Sequence, residues 1–190
     1  MLAGSTLVTR GAAAQAVPKA TAFVQQTGDQ LAAVVNGSMA PAARRHALAQ
    51  IIDEAVDVNG VARFCLGRFW RTASPDQQKR YVAAFHEVVV TNISSKLGEY
   101  QGVKLTVQRG RQQDDEAIVS SVVARPNNPP TNVDWVIEQP ASAPKIVDIV
   151  AEGTSLRLTQ RQDYASYLTR NNDSIDLLIN AMDQQTAQSR

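Results

Sequence analysis

Cysteine is nearly absent. Cys65 stands alone among 190 residues, so no disulfide can form within the chain. That count suits a reducing compartment and is equally compatible with an exported protein. Cys65 lies on an apolar stretch, where a free thiol usually packs as a small hydrophobe. Histidine is also scarce. His46 and His86 each stand alone on a helical pattern, with no second His, Cys or carboxylate at zinc spacing beside them. Charge of one sign is lacking, since 19 Lys and Arg face 18 Asp and Glu. The balance leaves no electrostatic footprint for nucleic acid and no polybasic cluster for a membrane surface. No run of about 18 apolar residues occurs, so no segment reads as a membrane-spanning helix. There is no Walker loop, no G-x-G-x-x-G and no G-x-S-x-G. Ser94, Ser95, Ser120 and Ser121 have no triad partner in view.

What is present is 44% hydrophobic residues, enough for one globular domain with a real core. The clearest local signals run from Asp57 to Tyr100. Ser74-Pro75-Asp76-Gln77 has the form of a helix start, with a capping serine, proline at the first position and a glutamine three residues on. Tyr81, Phe85, Val88, Val89, Ile93, Leu97 and Tyr100 then recur at three- and four-residue spacing, which predicts one apolar stripe along a helix from Pro75 to about Gly98. Val61, Phe64, Cys65, Phe69 and Trp70 crowd a shorter helical segment before it, bent at Gly67. Helices are also expected over 17–36, from Pro41 to Val56, and in two pieces from Asp163 onward.

At Gly102 the period changes from helical to alternating. Val103, Leu105 and Val107 predict a strand, Gly110 to Glu116 a turn, and Ala117 to Ala124 a second strand. The prolines of Arg125 to Thr131 make another turn. Val133, Trp135 and Ile137 mark a third strand and Lys145 to Val150 a fourth. The expected class is α+β, with helices wrapped on a twisted four-stranded antiparallel sheet.

Three charged groupings invite chemistry. Asp114-Asp115-Glu116 reads as a solvated hairpin turn, with cation binding as the alternative. Asp148 and Glu152 end a strand, where paired carboxylates serve acid–base work or simply cap. Arg63, Arg68 and Arg71 flank the aromatic cluster, placed to clamp phosphate, stack on Trp70 or face solvent. At the N-terminus, Ala14-Gln15-Ala16 has the form of a signal-peptidase site. Residues 1–16 are therefore expected to be a signal-peptide remnant or disordered leader, and residues 17–190 the single domain.

The segment Gly67-Arg68-Phe69-Trp70-Arg71-Thr72-Ala73-Ser74-Pro75-Asp76-Gln77 resembles the G-R-[YF]-[WY]-[RK]-x-A-[ST]-P-x-Q core of MlaC-like proteins, the toluene-tolerance family. Asp148-Ile149-Val150-Ala151-Glu152-Gly153-Thr154-Ser155-Leu156 resembles that family's D-[IV]-x-x-E-G-[VT]-S-[LM] segment. The likeness runs from Val17 to Met182. It implies an apolar cavity between helices and sheet, and a periplasmic carrier of phospholipid. It implies partners as well, an outer-membrane lipoprotein complex and an inner-membrane ABC transporter with an MCE-domain protein. A branch associated with hopanoid-producing bacteria makes a polycyclic lipid an alternative cargo. No cofactor beyond bound lipid is expected, and no nucleic acid.

From their facing, the residues expected to contact lipid are Phe69, Trp70, Phe85, Val89, Ile93 and Leu97 on the helices, with Val133, Trp135 and Ile137 on the strands. Two other classes stay open. One is a small enzyme on a nuclear-transport-factor-like cone, which requires Asp148 or Glu152 inside the pocket. The other is an interaction module with a solid core.

Overall fold

The computed structural model describes residues 9–189, and all of their side chains except those of 9–14, 97 and 98. Six α-helices and a five-stranded sheet follow in the order α1 (Thr9–Asn36), α2 (Pro41–Ala55), α3 (Val58–Leu66), α4 (Pro75–Ser95), β1 (Lys104–Gln113), β2 (Glu116–Ala124), β3 (Thr131–Glu138), β4 (Lys145–Ala151), β5 (Thr154–Ser155), α5 (Leu156–Arg170) and α6 (Ile175–Gln188). All sheet pairings are antiparallel and sequential, β1-β2-β3-β4-β5. The fifth strand, two residues long, is too short to leave a periodic signal, which explains why the sequence shows four.

Local chemistry accounts for the element starts. Gln77 N–H donates to Ser74 Oγ at 3.2 Å and Ser74 N–H to Gln77 Oε1 at 3.0 Å, completing the capping box of α4. Asp57 caps α3 by accepting from Gly60 N–H at 3.0 Å. Gly67, at φ 59°, ends α3 and opens a 3₁₀ turn over Gly67–Arg71. Some boundaries move. The helix expected from residue 17 starts at Thr9, because Ala12–Ala14 are strong helix formers; Ala16 is already buried. Of the expected leader, residues 1–8 lie outside the described residues. The helix expected to reach Gly98 stops at Ser95 and gives way to a 3₁₀ turn over Leu97–Tyr100. β1 continues through Gly110 to Gln113, so the β1–β2 turn shrinks to Asp114 and Asp115.

Two cores divide the molecule. In the first, α3, α4, α5 and α6 pack on one another around Tyr81, Phe85 and Tyr164, whose ring centroids lie 6.1–6.4 Å apart. In the second, α1 lies on the sheet face formed by Ala117, Val119, Val133, Trp135 and Ile137. Trp135 Nε1–H donates to Ser121 Oγ at 2.8 Å, which in turn donates to the Val133 carbonyl, so this buried polar set is satisfied. The other sheet face holds a small cluster of Ile118, Val136 and Val147 with Val61 of α3 against it. The cover of the meander is therefore α1. The long aromatic stripe of α4 faces other helices.

Candidate functional site

An apolar cavity of about 380 Å³ opens between α1, the sheet and the end of α4. Helix α1 supplies Gly28, Leu31, Ala32 and Val35, spaced i, i+3, i+4, i+7 and hence on one face. The sheet supplies Leu105, Val123 and Trp135 from three adjacent strands, with Leu105 and Val123 paired in register. Leu48 of α2 and Val103 add to the walls. The last turns of α4 bring Asn92, Ile93 and Lys96, the following 3₁₀ turn brings Tyr100, and Leu156 stands at the start of α5. Ile93 is 37% exposed and Leu156 51%, so the mouth carries apolar side chains in contact with solvent.

Close approach of α1 to the sheet shapes the cavity. A Cβ on Gly28 would stand 2.9 Å from Leu105 Cδ2, and one on Gly110 would stand 2.6 Å from Val17 Cγ1. A register shift between Val107 and Arg109 precedes Gly110. At the far end of α1, Asn36 Nδ2 donates to the Val103 carbonyl at 3.2 Å and Asn36 Oδ1 accepts from Gly102 N–H at 2.7 Å. These bonds tie the helix end to the loop entering β1.

Of the residues expected at the site, Ile93 and Trp135 line this cavity. Val133 and Ile137 share the sheet face of Trp135 but are packed in its core. Phe69 and Phe85 are buried in the helical core, with Trp70 and Val89 half-buried against it. Their placement corrects the expectation of a single wall from Phe69 to Leu97, since helical periodicity shows which side chains share a face and not what that face meets. The side chain of Leu97 lies outside the described residues. The face of α1 was the missed wall. Its spacing was visible in Leu31 and Val35, but glycine and alanine at 28 and 32 gave it little apolar contrast.

The candidate catalytic groups have structural partners. Asp148 is buried; its Oδ1 accepts from Ile149 N–H and Arg157 N–H at 2.8 and 3.0 Å, and its Oδ2 accepts from Ser155 Oγ at 2.5 Å. It thereby anchors the corner from β4 through β5 into α5, where Ser155 is also the helix cap. Glu152, at φ 48°, accepts from Asn132 N–H across the adjoining strand end. Neither lines the cavity. Burial, with Asp148 adding to it, pushes the Cys65 thiol up to about 12, and its Sγ lies 3.5 Å from the Arg157 carbonyl as a weak donor. Arg63 lies over the Trp70 ring and Arg68 over the Phe69 ring, at 5.9 and 4.7 Å from the centroids. Among the described residues no group of three or more His, Cys, Asp or Glu is placed to hold a metal ion, and no helix is long and apolar enough to cross a membrane.

Comparison with known proteins places this architecture. The chain is 23% identical over 152 residues to toluene tolerance protein ttg2D of Pseudomonas putida, an overlap of 79% of this chain and 71% of that protein. It shares its fold with the phospholipid-binding protein from Ralstonia solanacearum, solved in complex with a phospholipid. That match has a TM-score of 0.75 at 23% identity and covers 90% of this chain and 98% of the other. The model of the MlaC protein family matches residues 24–184, and the chain belongs to that family.

Proposed function

We propose that this protein is a lipid carrier that holds acyl chains in the cavity between α1 and the sheet. The observation that carries the reading is the cavity itself, with walls that are mostly apolar, apolar side chains at its mouth and no carboxylate, histidine or cysteine among its lining residues. Membership of the MlaC family and the phospholipid held by the Ralstonia solanacearum protein support it. A carrier has no need of an acid, base or nucleophile. It has to offset the exposure of hydrocarbon to water, about 0.8 kcal/mol for each CH₂, so two chains of about fifteen CH₂ resist crossing water by on the order of 20 kcal/mol.

In this reading the cargo is a phospholipid, moved through the periplasm between an outer-membrane lipoprotein complex and an inner-membrane ABC transporter with an MCE-domain protein. Residues 1–16 are in this reading a signal-peptide remnant or leader, of which residues 9–16 run into α1. A polycyclic lipid of hopanoid type is the alternative cargo for the same walls.

The volume of about 380 Å³ is near the lower end of ligand pockets, about 300–1,000 Å³. A two-chain cargo therefore requires the cavity to widen. Native mass spectrometry of gently purified protein tests the proposal. An added mass matching a phospholipid or hopanoid is expected, and a clean apo mass that persists after incubation with both lipids would refute it.

A further inference from the structure

The three arginines that flank the aromatic cluster have no part in the cavity. Arg63, Arg68 and Arg71, with Arg161 of α5, line a separate surface depression of about 490 Å³ at the end of α3. All four are exposed, and none has a carboxylate partner among the described residues. Arg157, one turn before Arg161, differs: it lies 3.5 Å from Asp148 and 3.9 Å from Glu116. The chain neutralises that arginine with its own acids and leaves the other four open. Its net charge is only +1, so the cationic face is not a by-product of a basic composition. No carboxylate lines the depression. Arg68 and Arg71 also border a neighbouring hollow that holds Asp173, and no ion pair joins it to either.

The guanidinium groups are held in place. Arg63 and Arg68 lie over Trp70 and Phe69, and Arg161 lies 4.8 Å from the centroid of the Phe64 ring. Arg161 Nη1 also donates to the Phe64 carbonyl at 3.4 Å. Gly67 makes room for it, because a Cβ there would stand 3.3 Å from the guanidinium carbon. Side chains ordered before binding lose less freedom when a partner arrives. Every cation lining the depression is arginine, whose planar fork matches a carboxylate bidentately.

We infer that this face docks an acidic segment of a partner protein, whose Asp or Glu side chains enter the depression and pair with Arg63, Arg68, Arg71 and Arg161. A bilayer fits it less well. A segment that lies on a membrane presents large apolar side chains to the acyl boundary, and none of the exposed large apolar residues, Met39, Ile93, Leu156, Leu158 and Leu177, lines the depression. The docking face is apart from the cavity and stands whether or not the cavity carries lipid.

A solvent-exposed ion pair changes affinity by a few-fold at most, so four together predict roughly a twentyfold preference for an acidic segment over an uncharged one. The test uses the full chain and a rhodamine-labelled peptide alternating Glu and Ser, with a twin carrying Gln for each Glu. Fluorescence anisotropy at low salt reads the two affinities. The wild type is expected to bind the Glu peptide roughly twentyfold more tightly, and Arg63→Glu with Arg68→Glu to weaken that binding about tenfold. Arg71 makes no ring contact or hydrogen bond among the described residues. Arg71→Glu is expected to weaken binding about threefold and serves if loss of the two stacks impairs folding. Lys104→Glu with Arg109→Glu makes the same change in net charge on exposed positions of β1, three strands from the β4 on which α3 and α5 pack. That variant should stay within about twofold of wild type. A wild type that does not distinguish the peptides, an unchanged affinity in Arg71→Glu, or an equal loss in the β1 variant overturns the docking face. A second arm sediments the chain with vesicles of dioleoylphosphatidylcholine, with and without dioleoylphosphatidylglycerol. Binding to the anionic vesicles that Arg63→Glu with Arg68→Glu abolishes, with no preference between the peptides, overturns the protein partner in favour of a membrane surface.

Discussion

Two glycines set how closely α1 approaches β1, and they differ in what surrounds them. At Gly110 an added Cβ meets Val17 Cγ1 at 2.6 Å and Thr21 Oγ1 at 2.8 Å. Both atoms sit on short β-branched side chains with few rotamers to retreat into, and the Thr21 hydroxyl is committed to the Val17 carbonyl at 2.8 Å. At Gly28 the added Cβ meets the tip of Leu105, which can turn away into the cavity. Glycine inside a helix also costs about 0.5–1 kcal/mol relative to alanine. Gly110→Ala is therefore expected to destabilise by about 1–3 kcal/mol, whereas Gly28→Ala should stay within about 1 kcal/mol of wild type. Urea unfolding monitored by circular dichroism compares them, and equal losses for the two would show that α1 is not seated on β1 as described. Neither position was legible beforehand, since a glycine required by close approach has the same letter as one required by a turn.

At the scale of elements, α4 was the most legible part of the chain and the most misleading. Its capping box and its proline start follow from the sequence and are present, and its stripe is kept from Tyr81 through Phe85 to Val88. The direction of the stripe was not readable, because α6, which it packs against, lies far along the chain. The meander was easier, since alternation and proline-rich turns are local signals and sequential antiparallel pairing needs no distant information. What joins α4 to α6 is a polar latch. Asp176 accepts from Arg80 Nη2 at 2.6 Å and from Gln77 Nε2 at 2.8 Å. The Arg80 hydrogen bond, then that of Gln77, holds the Asp176 carboxyl below its ordinary value. A carboxyl lowered in the folded state adds stability above its unfolded pKa of about 3.9, and that contribution is lost as pH falls through the folded value. Asp176→Asn should thus unfold at lower urea than wild type at pH 7, with the gap narrowing below about pH 4. A gap of constant size across that range would mean the latch does not act through its charge.

The whole molecule divides its labour between two cores, and α4 belongs to the helical one while its end reaches the cavity beside the other. Tyr81, Phe85 and Val88 hold the helices together, and only the final turns of the same helix reach the cavity. The sheet with α1 forms the remaining wall, so the element that covers the sheet also encloses the site. Stability and cargo should therefore respond to different substitutions on one helix. Phe85→Leu removes ring contacts with Tyr81 and Tyr164 and is expected to cost about 1–2 kcal/mol. It touches nothing in the cavity, so lipid bound per protein should be unchanged. Ile93→Trp places an indole in the mouth at a side chain already 37% exposed, where surface changes stay within about 0.5 kcal/mol. Lipid loading should fall by about half or more as the indole takes up room between α4 and α1. Urea unfolding and native mass spectrometry on the same two samples give the four readings. If Phe85→Leu lowers loading as much as Ile93→Trp does, the cavity is coupled to the helical core, and the site extends along α4 after all.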